Sequence, residues 1–278
     1  MELAEQKAET RTMWALGDYG RFARETVWEL GPVLVKAAGI AKGQRVLDVA
    51  AGTGNVAIPA AEAGAHVVAS DLTPENFEAG RREASVRGVE LEWVEADAES
   101  LPFDGNAFDV VTSSLGAIFG PNHQAVADEL VRVCRPGGTV AMINFPPEGL
   151  AGDYFSTLLP YMPPPPRGSQ PPLLWGTEAH VRELFGERLA PLELSRAWYA
   201  ERAPSPEAYA ELFAETFGPV VAIRTSLADD RERLEAFDHE FLEFATRSNR
   251  GQRRGGAEYR YDYLLVVGRK PVTQPGSR

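Results

Sequence analysis

Between residues 44 and 146 the chain alternates five short β-branched runs with longer helical stretches, and that order leaves few folds open. Runs that are apolar along most of their length bury both faces, as strands of a parallel sheet covered by helices do. QRVLDVA (44–50) reads as the first strand and NVAIPAAEAG (55–64) as the helix after it. HVVASD (66–71) reads as the second strand, and a helix then opens with Thr73 as cap and Pro74 in its first position. LEWVEAD (91–97) is a third strand and FDVVTSS (108–114) a fourth. The helix QAVADELVRVCR (124–135) is stopped by Pro136-Gly137-Gly138 before a fifth strand, TVAMINF (139–145).

The remainder is less regular. YMPPPPRGSQPP (161–172) reads as an extended, proline-rich connector, TEAHVRELFG (177–186) as a short helix and LELSRAWYAERA (192–203) as a strand. A helix capped by Ser205 follows, and then DDRERLEAFDHEFLEFATRSN (229–249), with Leu234, Phe237, Phe241, Leu242 and Phe244 at helical spacing. EYRYDYLLVVGRK (258–270) closes the chain as a strand, and MWALGDYGRFARETVWEL (13–30) reads as one amphipathic helix. The expected fold is α/β and doubly wound: a mostly parallel, seven-stranded Rossmann-like sheet with an antiparallel edge strand. We expect a single domain over 1–278, made of an N-terminal helical cap (1–40), a cofactor-binding core (41–146), a connector with an edge strand (147–203), a helical insertion or lid (204–250) and a last strand (258–270).

In such a sheet a ligand sits beyond the carboxyl ends of the strands. There the sequence places Asp48 and the loop Ala50-Ala51-Gly52-Thr53-Gly54, then Asp71-Leu72, Asp97-Ala98 and Ser113-Ser114-Leu115-Gly116. Glycines let a ligand approach the backbone closely. A carboxylate after the second strand can accept hydrogen bonds from both hydroxyls of a ribose, and a leucine beside it offers an apolar face to a purine. Asp97 and the Ala98 N–H can contact an adenine edge.

DVAAGTG, SDL, EADAESLPFDGNAFDVV and RVCRPGG, in this order and spacing, resemble the motifs of class I S-adenosylmethionine-dependent methyltransferases. LPF followed by FDVV and RPGG resembles the small-molecule subgroup that contains the ubiquinone and menaquinone C-methyltransferases. RPGGTVAMINFPPEG and PPLLWGTEAHVRELFG are similar to a group of actinobacterial methyltransferases. The resemblance is strong over 44–146 and falls to the level of fold beyond it. It implies S-adenosylmethionine as cofactor and S-adenosylhomocysteine as product. By the same resemblance, Asp48 and the loop Ala50, Gly52, Thr53 and Gly54 surround the methionine part, and Asp71 binds the ribose. Leu72 packs on adenine, Asp97 and Ala98 read its edge, and Ser113, beside Ser114, turns its carbonyl to the ammonium. Ala50 departs from the pattern, since a first glycine often stands there.

Two rival readings stay open. GTGNVA also fits the dinucleotide fingerprint G-x-G-x-x-A, with Asp71 as the ribose acid, so an NAD(P)-dependent oxidoreductase is an alternative. Against it stand Asp48 inside the strand, the LPF stretch after Asp97 and the strand–insertion–strand ending. A non-catalytic S-adenosylmethionine-binding protein is the other, because no residue is compelled to act as a base.

A sulfonium methyl is already activated, so alignment is the main task, and it can supply up to about 7–11 kcal/mol. An alcohol or phenol acceptor would also need a base. His123, expected at the pocket mouth, is the candidate, against the plainer reading of a helix-start residue without a chemical role. His66, His180 and His239 read as structural, peripheral and solvated. Tyr19 and Trp14 are expected to close the site, and Phe119, Tyr209, Phe213 and Phe217 to line a pocket for a small apolar or aromatic acceptor. The competing reading for each aromatic is core packing.

The net charge of −12 argues against nucleic acid as a partner. No run approaches the roughly 20 apolar residues that span a bilayer. With a charged amino terminus and one cysteine, Cys134, the chain is expected in the cytoplasm, without an intrachain disulfide or a metal, as a monomer or homodimer. Arg247, Arg250, Arg253 and Arg254 read either as a solvated loop or as a flap that meets an anionic group on a substrate.

Overall fold

The computed structural model describes residues 3–165, 168–251 and 256–272. In chain order the helices α1 (Leu3–Trp14), α2 (Tyr19–Glu25) and α3 (Leu30–Ala38) precede β1 (Arg45–Val49). Then come α4 (Ala57–Glu62), β2 (His66–Asp71), α5 (Phe77–Val86), β3 (Glu92–Glu95), β4 (Phe108–Ser114), α6 (His123–Val133) and β5 (Cys134–Asn144). The second half holds α7 (Leu150–Leu158), α8 (Glu178–Phe185), β6 (Leu192–Ala203), α9 (Pro206–Thr216), α10 (Gly218–Ser226), α11 (Arg231–Ser248) and β7 (Ala257–Arg269).

The seven strands form one sheet in the order β3-β2-β1-β4-β5-β7-β6. β1 lies parallel to both β2 and β4, with Leu47 opposite Val68 on one side and Val111 on the other. β7 runs antiparallel to β5, pairing Leu265 with Ile143. The strand known to be reversed therefore stands one place in from the edge, and β6 takes the edge itself. The burial pattern suits this: β7 buries every second residue with its paired centre, whereas most of β6 is partly or fully exposed.

The chain divides into two compact units. One, the sheet unit, comprises Glu29–Pro146, Gly168–Ala197 and Tyr263–Arg278; the other, the helical unit, comprises Met1–Trp28, Pro147–Arg167 and Trp198–Asp262. The sheet unit's core joins Leu47, Val68, Val111, Val140 and Met142 to the inner faces of α6 and α8. In the helical unit α9 and α11 pack together through Phe213 and Phe241, whose rings lie 5.8 Å apart.

Several elements differ from what periodicity suggests. The amino-terminal stretch is not one helix. It breaks between Trp14 and Tyr19, where Gly17 takes a φ of +84° and a β-carbon would stand 2.4 Å from the Thr216 carbonyl. Asp18 then caps α2, its carboxylate accepting from the Arg21 N–H. Pro136-Gly137-Gly138 is not a turn before the fifth strand but part of it. α6 stops at Val133, and the glycines lie in a bulged strand start, bonded by Gly137 N–H to the Lys270 carbonyl at 2.8 Å. Thr73 stands before a short 3₁₀ turn, Pro74–Asn76, rather than capping α5 directly. β3 ends at Glu95, which leaves Asp97 in a loop. Of the arginine cluster, Arg253 and Arg254 lie outside the described residues, while Arg247 lies over the Phe244 ring at 5.6 Å.

Candidate active site

The first loop is built around a buried carboxylate. Asp48 is 1% exposed. It accepts hydrogen bonds from the Ala57 N–H and the Thr112 hydroxyl, each at 3.0 Å, and so ties the start of α4 and the neighbouring strand β4 to β1. Burial pushes its pKa up to about 7, against the pull of those two donors, and the charge of Asp71 adds to the rise. The carboxylate thus lies under the loop and braces it from within.

Above Asp48 the chain turns through three left-handed residues, Ala50 (φ 55°), Gly52 (φ 55°) and Gly54 (φ 89°). The glycines adopt this freely, but at Ala50 the β-carbon opposes it, at a cost of about 1–2 kcal/mol. The glycines differ in purpose. A β-carbon on Gly54 would meet the Trp93 ring at 2.9 Å, so this glycine serves packing. At Gly52 nothing lies within 4 Å, and the backbone faces open space.

Asp71, at the end of β2, reaches back to this loop. One oxygen accepts from the Gly52 N–H and the other from the Thr73 N–H, both at 2.8 Å, while burial raises its pKa. Leu72 beside it is half-buried. Asp97 accepts from the Glu99 N–H at 2.9 Å, and Ala98 packs against the core. On β4, Ser113 is buried and its Oγ accepts from the Ala117 N–H at 3.1 Å. The Ser114 Oγ is buried and has no hydrogen-bond partner among the described residues. Gly116 follows, so close to the first loop that a β-carbon on it would stand 2.4 Å from the Ala50 carbonyl oxygen. Asp48, Ala50, Gly52, Thr53, Gly54, Asp71, Leu72, Asp97, Ala98, Ser113 and Ser114 all belong to the sheet unit, at or just beyond strand carboxyl ends.

Residues 46–138 match the sequence model of a methyltransferase domain. Rv1403c of Mycobacterium tuberculosis, an uncharacterised protein, is 43% identical over 261 residues, which cover 94% of this chain and 93% of that protein. The demethylmenaquinone methyltransferase of Thermus thermophilus is 39% identical over 127 residues, 43% of this chain and 58% of that enzyme. The chain therefore carries a methyltransferase domain over residues 46–138 and resembles the menaquinone methyltransferases. Phosphoethanolamine N-methyltransferase 2 of Haemonchus contortus, solved in complex with S-adenosyl-L-methionine, shares the fold. It superposes with a TM-score of 0.55 at 18% identity, over 88% of this chain and 53% of that one.

In this methyltransferase His123 does not face a pocket mouth. Its side chain is fully buried, with Nδ1 2.9 Å from Nε2 of His180 and the ring 5.4 Å from that of Trp175. α8 and the turn before it, which no local pattern near residue 123 announces, cover it. Burial, with the neighbouring His180, depresses its pKa to about 4. His180, read as peripheral, is its partner. His66, read as structural, is exposed, and exposed His239 lies 3.3 Å from Glu243. A base whose folded pKa lies below its unfolded value near 6.5 contributes stability that is present above pH 6.5 and lost as pH falls towards 4. His123→Phe is therefore expected to reduce the acid-side loss of stability, by about 3 kcal/mol at most, in urea unfolding between pH 7 and 4. Equal pH slopes for variant and wild type would refute this.

The expected aromatic lining is divided. Phe119 lies in the sheet unit against its core. Trp14, Tyr19, Tyr209, Phe213 and Phe217 share the helical unit. Trp14 meets Phe217 at 5.8 Å and Tyr19 at 5.8 Å, and Tyr209 meets Phe213 at 4.7 Å. Here the structure adds a group that sequence reasoning missed: buried Glu201, accepting from the Tyr199 and Tyr209 hydroxyls at 2.8 Å each. The available signal was its phase on β6, where Tyr199 and Glu201 fall on one face of an alternating strand.

Proposed function

We propose that the methyltransferase binds S-adenosylmethionine at the carboxyl ends of β1, β2 and β4 and transfers its methyl group to an oxygen, nitrogen or carbon of a small apolar or aromatic metabolite. The supporting observation is the joining of the first two loops. The Gly52 N–H fixes Asp71 beside a stretch of backbone that faces open space. The residues fit the cofactor on this ground, and the buried, unpartnered Ser114 Oγ on the next strand offers a further polar contact.

When bound, the cofactor supplies an electrophilic methyl on a sulfonium. In this reading Asp71 binds both ribose hydroxyls, in an orientation set before binding by the Gly52 and Thr73 amides. Leu72 covers one face of the adenine, and Asp97 with the Ala98 N–H reads its edge. The backbone of Ala50 to Gly54 surrounds the methionine part, held in shape by Asp48 beneath. The net charge of −12 disfavours a nucleic-acid acceptor, and no described helix is long and apolar enough to cross a membrane.

Hydrogen bonds to a charged group contribute about 1.5–3 kcal/mol each. Asp71→Ala is therefore expected to weaken S-adenosylmethionine and S-adenosylhomocysteine at least 100-fold in calorimetric titration. Asp71→Asn should fall between the variant and wild type. Binding of NADH in place of the sulfur compounds would overturn the reading.

A further inference from the structure

The outer edge of the sheet unit carries a groove of its own. α5 is followed by a left-handed turn at Gly88 (φ +69°), with the Val89 N–H bonded to the Ala84 carbonyl at 3.0 Å, and the chain then runs on into β3. β3 is an edge strand, paired with β2 alone. The helix end, the turn and the edge strand enclose a groove of about 510 Å³, a size that suits a small molecule. Ala84, Val89, Leu91 and Trp93 give it an apolar lining. A β-carbon on Gly88 would meet nothing within 4 Å, so the turn itself adds only backbone.

Two opposite charges line the same groove, Arg81 and Glu90. The other arginines on and just after α5 are paired, Arg82 with Glu78 and Arg87 with Glu83. Arg81 instead lies over the Phe77 ring at 5.8 Å and, like the exposed Glu90, makes no ion pair among the described residues. A guanidinium takes a carboxylate through two parallel hydrogen bonds, and a carboxylate takes an ammonium. The indole of Trp93 in the same lining suits an aromatic ring.

Trp93 also reaches the first loop. A β-carbon on Gly54 would stand 2.9 Å from its Cη2, and one on Gly80 would overlap the same end of the ring. One residue therefore lines the groove and fills the space that Gly54 leaves in the loop after β1.

We propose that this groove is an effector site for a zwitterionic aromatic amino acid, whose carboxylate pairs with Arg81, whose ammonium pairs with Glu90 and whose ring packs on Trp93. Occupation confines the indole and, through it, Gly54, so that the loop is held in its binding shape and takes its cofactor more tightly. The coupling rests on the S-adenosylmethionine reading above, whereas the groove itself does not.

The probes are 4-fluoro-L-phenylalanine, 3-(4-fluorophenyl)propionate, which lacks the ammonium, and 2-(4-fluorophenyl)ethylamine, which lacks the carboxylate. Each is titrated into the full-length protein by fluorine NMR. The amino acid should bind at least threefold more tightly than either of the others. Arg81→Gln should bring it to the level of the amine, and Glu90→Gln to that of the propionate; both side chains are exposed, so the fold should stand. At saturating amino acid, S-adenosylhomocysteine should bind at least threefold more tightly in calorimetric titration, and it should tighten the amino acid by the same factor. Trp93→Phe, whose shorter ring cannot reach the two glycines, should still bind the amino acid and lose the coupling. If that variant does not fold, loss of the coupling in Arg81→Gln at the same amino-acid concentration decides in its place. No preference for the amino acid in wild type, a preference untouched by both charge variants, an S-adenosylhomocysteine affinity that is unchanged or lower with amino acid present, or coupling that survives in Trp93→Phe would each overturn the inference. Failure of S-adenosylhomocysteine to bind the protein without amino acid would sink the cofactor reading instead, and the fluorine titrations would still test the groove.

Discussion

Asp48→Asn is expected to stabilise the protein at pH 8 by about 2–4 kcal/mol and to change it little at pH 4.5. The sign follows from the direction of the shift. A carboxyl whose folded pKa, about 7, lies above its unfolded value near 3.9 holds its proton more tightly in the folded state. Its contribution is full below about pH 4 and is lost as pH rises through 7, at about 1.4 kcal/mol per unit. Asparagine has no proton to lose. Its oxygen can accept from the Ala57 N–H, and its amide can donate to the Thr112 hydroxyl that Asp48 now accepts from. Denaturant unfolding of both proteins from pH 4.5 to 8 measures the difference. Parallel curves would mean that Asp48 ionises in the fold as it does in the unfolded chain. Asp48→Ala is the contrasting case. It strands the buried Ala57 N–H and leaves the Thr112 hydroxyl only the Leu47 carbonyl, at 3.3 Å, so it is expected to destabilise at every pH.

Gly116→Ala has the next largest expected effect, and it acts on both stability and binding. The added β-carbon would overlap the Ala50 carbonyl oxygen at 2.4 Å and the Ala50 β-carbon at 2.7 Å, and backbone cannot swing aside as a side-chain tip can. Overpacking of this kind costs about 1–3 kcal/mol. Because Ala50 must move, the first loop should lose its shape, and S-adenosylhomocysteine should bind at least tenfold more weakly. Gly52→Ala separates the two effects. Its β-carbon meets nothing within 4 Å, so the fold loses only about 1 kcal/mol to the left-handed backbone. The same methyl would occupy the space above the loop and weaken the ligand as much. Wild-type melting and wild-type affinity in Gly116→Ala would show that its close approach to Ala50 does not hold the loop.

The strands were legible because their signal is local. FDVVTSS and HVVASD coincide with β4 and β2 to the residue, and LELSRAWYAERA with β6. The helices α7 and α10 were not foreseen. α7 follows Pro146-Pro147 and a glycine, and α10 begins with Gly218-Pro219, so both open on residues that read as turn formers. The break of the amino-terminal helix at Gly17 is similar, since an amphipathic period continues through a glycine that only the Thr216 carbonyl makes indispensable. Within the site, the sequence marked the positions of Asp48 and Asp71 but not the partners of their carboxylates, which come from Ala57 and Thr112 for one and Gly52 and Thr73 for the other.

Legible in the sequence alone were the strands, the helices between them from β1 to β5, the glycine-rich turn after β1 and the carboxylates at strand ends, because propensity, periodicity and turn chemistry act over a few residues. Only the tertiary structure decided what those residues experience. His123 became a buried base when α8, more than fifty residues later, covered it and set His180 against it. Glu201, Tyr209 and Tyr261 became one hydrogen-bonded chain only when β6, α9 and β7 packed together. Burial, ionisation and hydrogen-bond partners are properties of packing between distant segments, and no local pattern encodes them.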